Sequence, residues 1–416
     1  MMVPPRGALG MRRIFTSNVA LSLADQGLLS AANFLINIWL IRVGGPTEFG
    51  KFVFVSATYL IFSSIQSALV GTPISVFVSP LTAEKRICVE STLIDFDFFF
   101  RTLGTLGALA ICMAADASST FLIAAGCYVI TMLWRETCRS VHFARHTAFS
   151  VLSLDATSIM VGLAATASLW PFMPSAAAPL FGLAIGNGVA LVVDRGQVAL
   201  RWPRGVCATL MAYRPYWHEA RWALVGATTT IAQTRSYVFA VQALRGADVL
   251  GMLQAGNALL GPLGLVVGAW GRVSRPDMSR LLACGEKQSA QRLLKIGLGF
   301  ILCLDLVFFL FLFLLWHWIE PLLFAGKYPE IGTLTAAWGI YTILTHARSA
   351  VGIYLGATLR FRSLAFSTVV GAMVSIGILA LLFYDVPSIV GIASLIGGEF
   401  VALGLNLRLL VRAWKS

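Results

Sequence analysis

The chain alternates between long apolar stretches and short polar, mostly basic connections. About 20 apolar residues in an α-helix cross the hydrocarbon core of a bilayer. The apolar stretches are continuous and do not alternate every second residue, which favours helices over a β-barrel. The pattern therefore predicts an all-α integral membrane protein with twelve transmembrane helices, near residues 18–41, 52–79, 94–114, 120–134, 151–170, 177–193, 222–243, 249–271, 296–317, 331–357, 364–384 and 387–407.

Composition supports the same class of protein. Of the 416 residues, 58% are hydrophobic and only 12% are charged, whereas soluble domains carry roughly 25% charged residues. These proportions exclude an ordinary soluble enzyme, a disordered chain and a disulfide scaffold. The seven cysteines show no CxxC or metal-ligand spacing and most lie in apolar stretches, so we predict no metal site.

The net charge of +12 reflects orientation in the membrane. Of the 31 basic residues, 24 fall in connections on one side of the predicted membrane and four on the other, while Arg101, Arg235 and Arg348 fall inside predicted helices. Basic connections stay cytoplasmic. We therefore predict a multi-pass protein of a bacterial inner membrane, with both termini in the cytoplasm and no nucleic-acid partner.

The longest connection divides the chain into two halves of six helices. It is basic and spans residues 194–221, so we predict an N-terminal six-helix lobe at 1–193, a cytoplasmic linker at 194–221 and a C-terminal six-helix lobe at 222–416. Repeats of six helices are common in transporters.

Each half also begins with a similar short turn between its first two helices. Gly45 and Gly50 in the first half correspond to Gly246 and Gly251 in the second. This match indicates an internal repeat.

Polar residues inside the apolar stretches are the candidate functional residues. A charge at the bilayer centre costs about 2.5–3.5 kcal/mol on insertion scales, so such a residue normally faces a cavity or another helix. Polar residues of the first helix share one face, and the seventh and tenth helices carry further polar groups. The substrate-binding candidates, which would line a water-filled cavity between the lobes, are Asp25, Gln26, Asn33, Asn37, Gln233, Arg235, Tyr341, Thr345 and Arg348.

Arg235 and Arg348 have two alternative interpretations. A guanidinium group in a low-dielectric setting can bind a phosphate or diphosphate through paired hydrogen bonds. Alternatively, each arginine forms an intramembrane ion pair with a carboxylate such as Asp25, Asp305 or Glu399. Asp305 and Glu399 stand alone in very apolar helices. Each could face a neighbouring helix or take up a proton, and we favour helix packing.

Other charged residues indicate structure and not catalysis. Arg101 follows Asp97 by four residues, which predicts an ion pair along one helix. His142 and His146 lie in a basic stretch with no nearby catalytic base and are predicted to face water or lipid headgroups. The chain has no phosphate-binding GxxxxGK[ST] motif, so we expect neither an enzyme nor an ATPase.

Residues 23–62 (LADQGLLSAANFLINIWLIRVGGPTEFGKFVFVSATYLIF) resemble the opening of the polysaccharide-type flippases. In that family a polar first helix leads into an R-x-x-G-x-x-x-F-G turn, which here runs from Arg42 to Gly50. Residues 134–155 are similar to the family's basic segment between its fourth and fifth helices. The flippases share one exporter superfamily with multidrug and toxin extruders and lipid II flippases.

The resemblance implies two six-helix lobes around a central cavity, with the lobes working by alternating access. It implies movement of a polyprenyl-diphosphate-linked oligosaccharide from the inner to the outer leaflet, for exopolysaccharide or O-antigen export. The partners would be the lipid bilayer, the lipid-linked glycan and other polysaccharide-assembly proteins. No cofactor is implied, although a proton or sodium gradient could drive the cycle.

Two alternatives remain open. A cation-coupled drug antiporter of the same superfamily would use an acidic residue such as Asp25. A membrane-embedded polysaccharide polymerase or glycosyltransferase would need a large outer loop, and the outer connections near 171–176, 244–248 and 318–330 are short.

Overall fold

The computed structural model is helical throughout the part of the chain that it describes, with no strand there. It describes residues 6–78, 81, 83–115, 118–173, 175–194, 205–358, 360–382 and 389–415. The all-α membrane fold predicted from the sequence is thus confirmed.

Among the described residues, the first half contains seven α-helices. They are α1 (Arg6–Trp39), α2 (Gly45–Gln66), α3 (Ala83–Met113), α4 (Ser119–Ala144), α5 (Ala148–Leu169), α6 (Ala177–Asp194) and the short α7 (Val206–Tyr213). Wider π-helical turns occur at Leu40–Gly44, Ser67–Gly71 and Ile74–Val78.

The described part of the second half contains six helices, preceded by a 3₁₀ turn at Arg214–Tyr216. They are α8 (Trp217–Ala258), α9 (Gly261–Ala283), α10 (Lys287–Phe324), α11 (Ile331–Ala357), α12 (Phe361–Leu382) and α13 (Val390–Lys415). Pro262, at the start of α9, lacks the N–H that a continuing helix would need.

Each predicted transmembrane stretch is mostly helical where the structure describes it, and a turn at residues 259–260 interrupts the stretch near 249–271. Among the described residues, eight helices are long and apolar enough to cross a membrane, or nine if the bent pair Val206–Ala258 and Gly261–Ala283 forms one span. One of them, Ala24–Val78, has 55 residues and would be about 80 Å long if straight. Twelve crossings therefore stay a prediction, while a multi-pass membrane protein is established.

Packing divides the helices into two units. The first contains the chain up to Ile36 together with Val55–Thr228, and the second contains Asn37–Phe54 together with Thr229–Ser416. Each unit has its own apolar core, built around residues such as Leu93 in the first and Val351 in the second. The turn between α1 and α2 thus packs with helices of the second half of the sequence.

The two turns that the sequence matches have the same backbone conformation. Gly45 has φ +79° and ψ −178°, and Gly246, which interrupts α8, has φ +86° and ψ 177°. Only glycine adopts this region without strain. The chain therefore changes direction at equivalent points of the two copies.

The same two turns contact each other inside the second unit. A Cβ atom on Gly50 would lie 1.7 Å from the Ala247 carbonyl oxygen, and one on Gly251 would lie 1.9 Å from the Pro46 carbonyl oxygen. Both distances are far inside van der Waals contact, so glycine is required at both positions. The reciprocal contact fits an internal repeat.

Candidate functional site

The two helices of the second unit that carry candidate residues, α8 and α11, meet at Glu399, a carboxylate on α13 that is only 1% exposed. Arg348 of α11 binds it through both Nε and Nη2, the latter 3.0 Å from Oε1. Gln233 of α8 donates from Nε2 to the same oxygen at 3.1 Å. We call Gln233, Arg348 and Glu399 the Glu399 cluster. It shows that Arg348 forms an ion pair, one of the two alternatives left open by the sequence.

Arg235 lies two residues beyond Gln233 on α8, and its surroundings differ from those of Arg348. It is half-buried, and within the described residues no carboxylate lies within ion-pair distance of its guanidinium group. It is close enough to Tyr237 and Tyr341 to interact with them electrostatically. Arg235 is thus a cation inside a predicted transmembrane stretch whose charge the described part of the chain leaves unpaired.

Aromatic residues fix the surroundings of Arg235. Trp338 of α11 is buried, donates from Nε1 to the Leu253 carbonyl oxygen at 2.6 Å, and packs edge-on against Tyr237 and Tyr341 at 6.0 and 5.4 Å between ring centres. The Tyr237 hydroxyl accepts from Gln254 Nε2 at 2.5 Å. Tyr341 stays half-buried, as does the candidate Thr345 one turn further along α11.

Asp305 faces a neighbouring helix, as predicted from its isolation in an apolar sequence. Both of its carboxylate oxygens lie 3.0 Å from Nδ1 of His346, which is also buried. This pair joins α10 to α11. Glu399 also faces a neighbouring helix, as predicted, because it forms an ion pair with Arg348 of α11.

The first unit contains a second group of buried charges. Arg139 of α4 contacts three carboxylates: Asp25 of α1 at 3.0 Å, Asp155 of α5 at 2.9 Å and Glu136 one turn earlier at 3.0 Å. Arg135 lies 3.5 Å from Asp155 and 3.8 Å from Glu136. We call these five residues the buried charge cluster.

Arg135 extends this cluster to α5 and α6. Its Nη1 atom donates to Ser158 Oγ at 3.1 Å and to Asn187 Oδ1 at 3.2 Å. Both partners are buried. Ser158 also donates to Asn187 Oδ1 at 2.5 Å, so polar groups from α4, α5 and α6 satisfy one another.

The predicted ion pair between Asp97 and Arg101 is confirmed, with Arg101 Nε 2.6 Å from Asp97 Oδ2. The Arg101 guanidinium also lies 4.8 Å from the centre of the Trp134 ring. The other Asp97 oxygen accepts from Gln66 Nε2 at 2.7 Å.

The prediction that His142 and His146 face water or lipid headgroups is wrong for His142. Helix α4 continues to Ala144. His142 is 1% exposed, with Nε2 3.0 Å from both oxygens of Asp194, and Arg145 binds Glu90. Partners from other helices satisfy these polar side chains, which lets the helix continue as a buried element. Of the two histidines, His146, just after the helix, is exposed as predicted.

Sequence reasoning therefore missed Arg135 and Arg139 as buried residues. The available signal was the spacing of Arg135, Arg139 and His142, which places one basic group on the same helix face at each turn. Their partners are distant in sequence and show no local pattern.

The remaining candidates of the first helix are less enclosed. Gln26 and Asn37 are half-buried and Asn33 is exposed, whereas Asp25 is 1% exposed. The structure thus separates Asp25, in the buried charge cluster of the first unit, from Arg235 and the Glu399 cluster in the second. Within the described ranges no three His, Cys, Asp or Glu side chains are grouped to hold a metal ion.

Comparison with solved structures identifies the class of fold. The chain has the all-helical fold of transporters of the MOP superfamily. A lipid II flippase, MurJ, in its inward closed conformation matches with a TM-score of 0.72 and 10% identity, over 94% of this chain and 87% of that one.

Multidrug resistance transporters of the MATE family are also similar. One in its inward-facing conformation gives a TM-score of 0.68 at 12% identity, over 96% of this chain and 95% of that one. A eukaryotic MATE transporter, AtDTX14, gives 0.61 at 11% identity, over 96% of each chain. No protein-family model matches the sequence, and no curated protein matches it significantly.

Proposed function

We propose that this protein is a flippase that moves a polyprenyl-diphosphate-linked oligosaccharide from the inner to the outer leaflet of a bacterial inner membrane, by alternating access and for polysaccharide export. Both termini would be cytoplasmic. The similarity to a lipid II flippase over most of the chain and the flippase-like turn from Arg42 to Gly50 support the proposal.

Arg235 is the observation that carries the proposal. The other arginines described above, at 101, 135, 139, 145 and 348, each have a carboxylate partner. Arg235 has none among the described residues. An unpaired cation in a low-dielectric setting is costly unless an anion binds to it. A diphosphate suits the planar guanidinium group, since it can accept two hydrogen bonds at once.

The residues around Arg235 suit the sugar part of such a substrate. Tyr341 and Thr345 are half-buried and carry hydroxyl groups that can donate and accept hydrogen bonds. The adjacent Trp338–Tyr341 aromatic pair holds the Tyr341 ring in place. The lipid tail would stay in the bilayer, because the protein needs to shield only the polar headgroup from hydrocarbon.

The test is export in cells that depend on this protein for polysaccharide. Charge-assisted hydrogen bonds contribute about 1.5–3 kcal/mol each, and 1.4 kcal/mol is tenfold. We therefore expect Arg235→Ala to lower export by about tenfold or more at unchanged protein level, and Arg235→Lys to retain part of the activity. The control Arg280→Ala removes an exposed arginine, whose side chain is 75% exposed, and should export normally. Normal export by Arg235→Ala would exclude the proposed role of this residue.

A cation-coupled drug antiporter is the second candidate. It is favoured by the similarity to MATE transporters, which also extends over most of the chain, and by the three carboxylates of the buried charge cluster. An antiporter predicts that deleting the gene increases drug susceptibility and leaves polysaccharide unchanged. A flippase predicts the reverse, so the two assays on one deletion strain separate the candidates.

A further inference from the structure

An apolar groove lies on the surface of the second unit, between α10 and α11. Its volume is about 450 Å³. Residues of α10 from Leu306 to Trp316 line one side, and residues of α11 from Gly332 to Ile343 line the other. Apart from Thr335, the lining is aliphatic, aromatic or glycine. A groove with this lining suits a hydrocarbon chain better than a polar ligand.

The sizes of the facing side chains form the groove. Gly332, Ala336 and Gly339 on α11 are separated by four and then three residues, so they share one helix face. A Cβ atom on Gly339 would lie 2.9 Å from Phe309 Cε1, and one on Gly332 would lie 3.6 Å from Trp316 Nε1. The two rings of α10 therefore lie against the two glycines, and the small, exposed Ala336 between them leaves the space open.

The groove extends over the depth of one leaflet. Leu306 stands at the centre of the apolar stretch near 296–317, and Trp316 stands at its end. The ten-residue rise from Leu306 to Trp316 is about 15 Å of helix, which is half of the roughly 30 Å hydrocarbon core. Trp318, which is 70% exposed, follows at the position expected of an interfacial tryptophan. The groove thus runs from the bilayer centre to one interface.

The groove has the size of one acyl chain. Phe313, which belongs to the lining, is 79% exposed, so the groove opens toward the lipid side of α10. Water does not occupy the hydrocarbon core, and an empty groove would lose van der Waals contacts along its length. A methylene group takes about the space of one liquid water molecule, roughly 30 Å³, so the groove holds about fifteen carbons.

Two basic side chains lie beyond the interfacial end of the groove. Arg42 Nη1 donates to the Leu322 carbonyl oxygen of α10 at 2.6 Å. Leu322 lies about 9 Å along the helix beyond Trp316. Lys327 Nζ donates to the carbonyl oxygens of Arg42 and Val43 at 2.8 and 3.2 Å. These contacts bring the two cations together at the end of α10 where the groove reaches the interface.

Both cations retain hydrogen-bond donors for a further ligand. An arginine has five N–H donors and a lysine has three, while backbone oxygens accept from one donor of Arg42 and from Nζ of Lys327. Both side chains are exposed. Glu320 and Glu330 also lie at this end of α10 and α11, but no described carboxylate is within ion-pair distance of either cation. An anionic group at the interface would therefore meet two cations without a carboxylate partner in the described part of the chain.

We propose that this groove binds one phospholipid of the bilayer, with an acyl chain along α10 and α11 and the phosphate on Arg42 and Lys327. Guanidinium and ammonium groups both donate charge-assisted hydrogen bonds to phosphate oxygens. The rise of about 9 Å from Trp316 to Leu322 leaves room for the glycerol part of the lipid. A long polyprenyl chain has more carbons than the groove holds, which favours a phospholipid as the occupant. The inference does not depend on which substrate the protein moves.

Native mass spectrometry of the purified full-length protein tests the proposal. The protein in detergent is titrated with phosphatidylglycerol, with diacylglycerol carrying the same chains, and with a polyprenyl phosphate. We expect phosphatidylglycerol to saturate one tight site and diacylglycerol to bind about tenfold more weakly, because it lacks the phosphate. Equal binding of these two lipids would overturn the role of the two cations. Tighter binding of the polyprenyl phosphate than of phosphatidylglycerol would overturn the choice of occupant.

Two variants locate the lipid. Ala336→Phe fills the groove and leaves every charge intact, whereas the double variant Arg42→Gln/Lys327→Gln removes both cations and leaves the groove open. Each should bind phosphatidylglycerol about tenfold more weakly than the wild type.

Matched controls make the same kinds of change elsewhere. Ala380→Phe adds the same ring at an exposed position of α12, and Arg280→Gln removes a cation whose side chain is 75% exposed. Both controls should bind phosphatidylglycerol as the wild type does. Wild-type affinity in Ala336→Phe or in the double variant would overturn the proposal, and if one of them fails to fold, the other decides.

Discussion

The ion pair between Arg348 and Glu399 changes how a loss of function at Arg348 must be interpreted. Two hydrogen bonds join the pair, and the Glu399 side chain is only 1% exposed while that of Arg348 is 21% exposed. Two unit charges about 4 Å apart attract by about 4 kcal/mol at an effective dielectric constant of 20. Arg348→Ala would therefore leave a buried carboxylate with Gln233 as its remaining partner.

We expect Arg348→Ala to destabilise the protein by about 3–5 kcal/mol, the usual effect of removing one partner from a buried pair. The double variant Arg348→Ala/Glu399→Gln removes the stranded charge and keeps an acceptor for Gln233, so it should recover most of that loss. Fluorescence-detected size-exclusion chromatography after graded heating measures the stability, and immunoblotting measures the protein level.

Export by the same variants then separates structure from transport. If Arg348 also contacts substrate, the double variant is stable but exports poorly. If its role is the ion pair alone, the double variant exports at near wild-type rate. The reasoning is refuted if Arg348→Ala is as stable as the wild type, or if the double variant is no more stable than Arg348→Ala.

Two further predictions concern the turns and the orientation. Gly50→Ala and Gly251→Ala should each sharply lower the amount of folded protein, because the new methyl groups would lie 1.7 and 1.9 Å from backbone oxygens. The control Gly264→Ala has open space around the new methyl group and should fold. Normal folding of all three variants would contradict the close contact between the turns. If the basic side is cytoplasmic, a membrane-impermeant thiol reagent should label Cys284, which is exposed, in inverted vesicles but not in intact spheroplasts. Lys327→Cys in a cysteine-free background should be labelled in intact spheroplasts but not in inverted vesicles. Labelling of both residues from the same side would refute the predicted orientation.

The fold could be predicted because lipid imposes a simple rule on sequence. Every backbone polar group in hydrocarbon must be satisfied within the segment, so a long apolar stretch becomes a helix. The stretch near 296–317 shows this most clearly, since Asp305 is its only charged residue and it forms the middle of α10. The turn glycines were equally readable, because Gly45 and Gly246 occupy a backbone region that few other residues adopt.

The arrangement of the candidate site could be predicted only in part. Gln233 and Arg348 lie on helices far apart in sequence, and their meeting point, Glu399, was named only as one of several carboxylates that Arg348 could pair with. Contacts of this kind depend on the packing of helices, which periodicity within one helix does not report. The same limit explains why Asp25 was grouped with Arg235 although the structure places them in different units.

Arg135 and Arg139 show where counting basic residues fails and where it still holds. Both were counted as residues of a cytoplasmic connection, but both are buried in α4. Removing them leaves twenty-two basic residues on the predicted inner side against four on the outer side, so the predicted orientation survives the correction. What changes is the interpretation of intramembrane arginines. Most of them here are neutralised by carboxylates from neighbouring helices, and Arg235 is informative because no described carboxylate neutralises it.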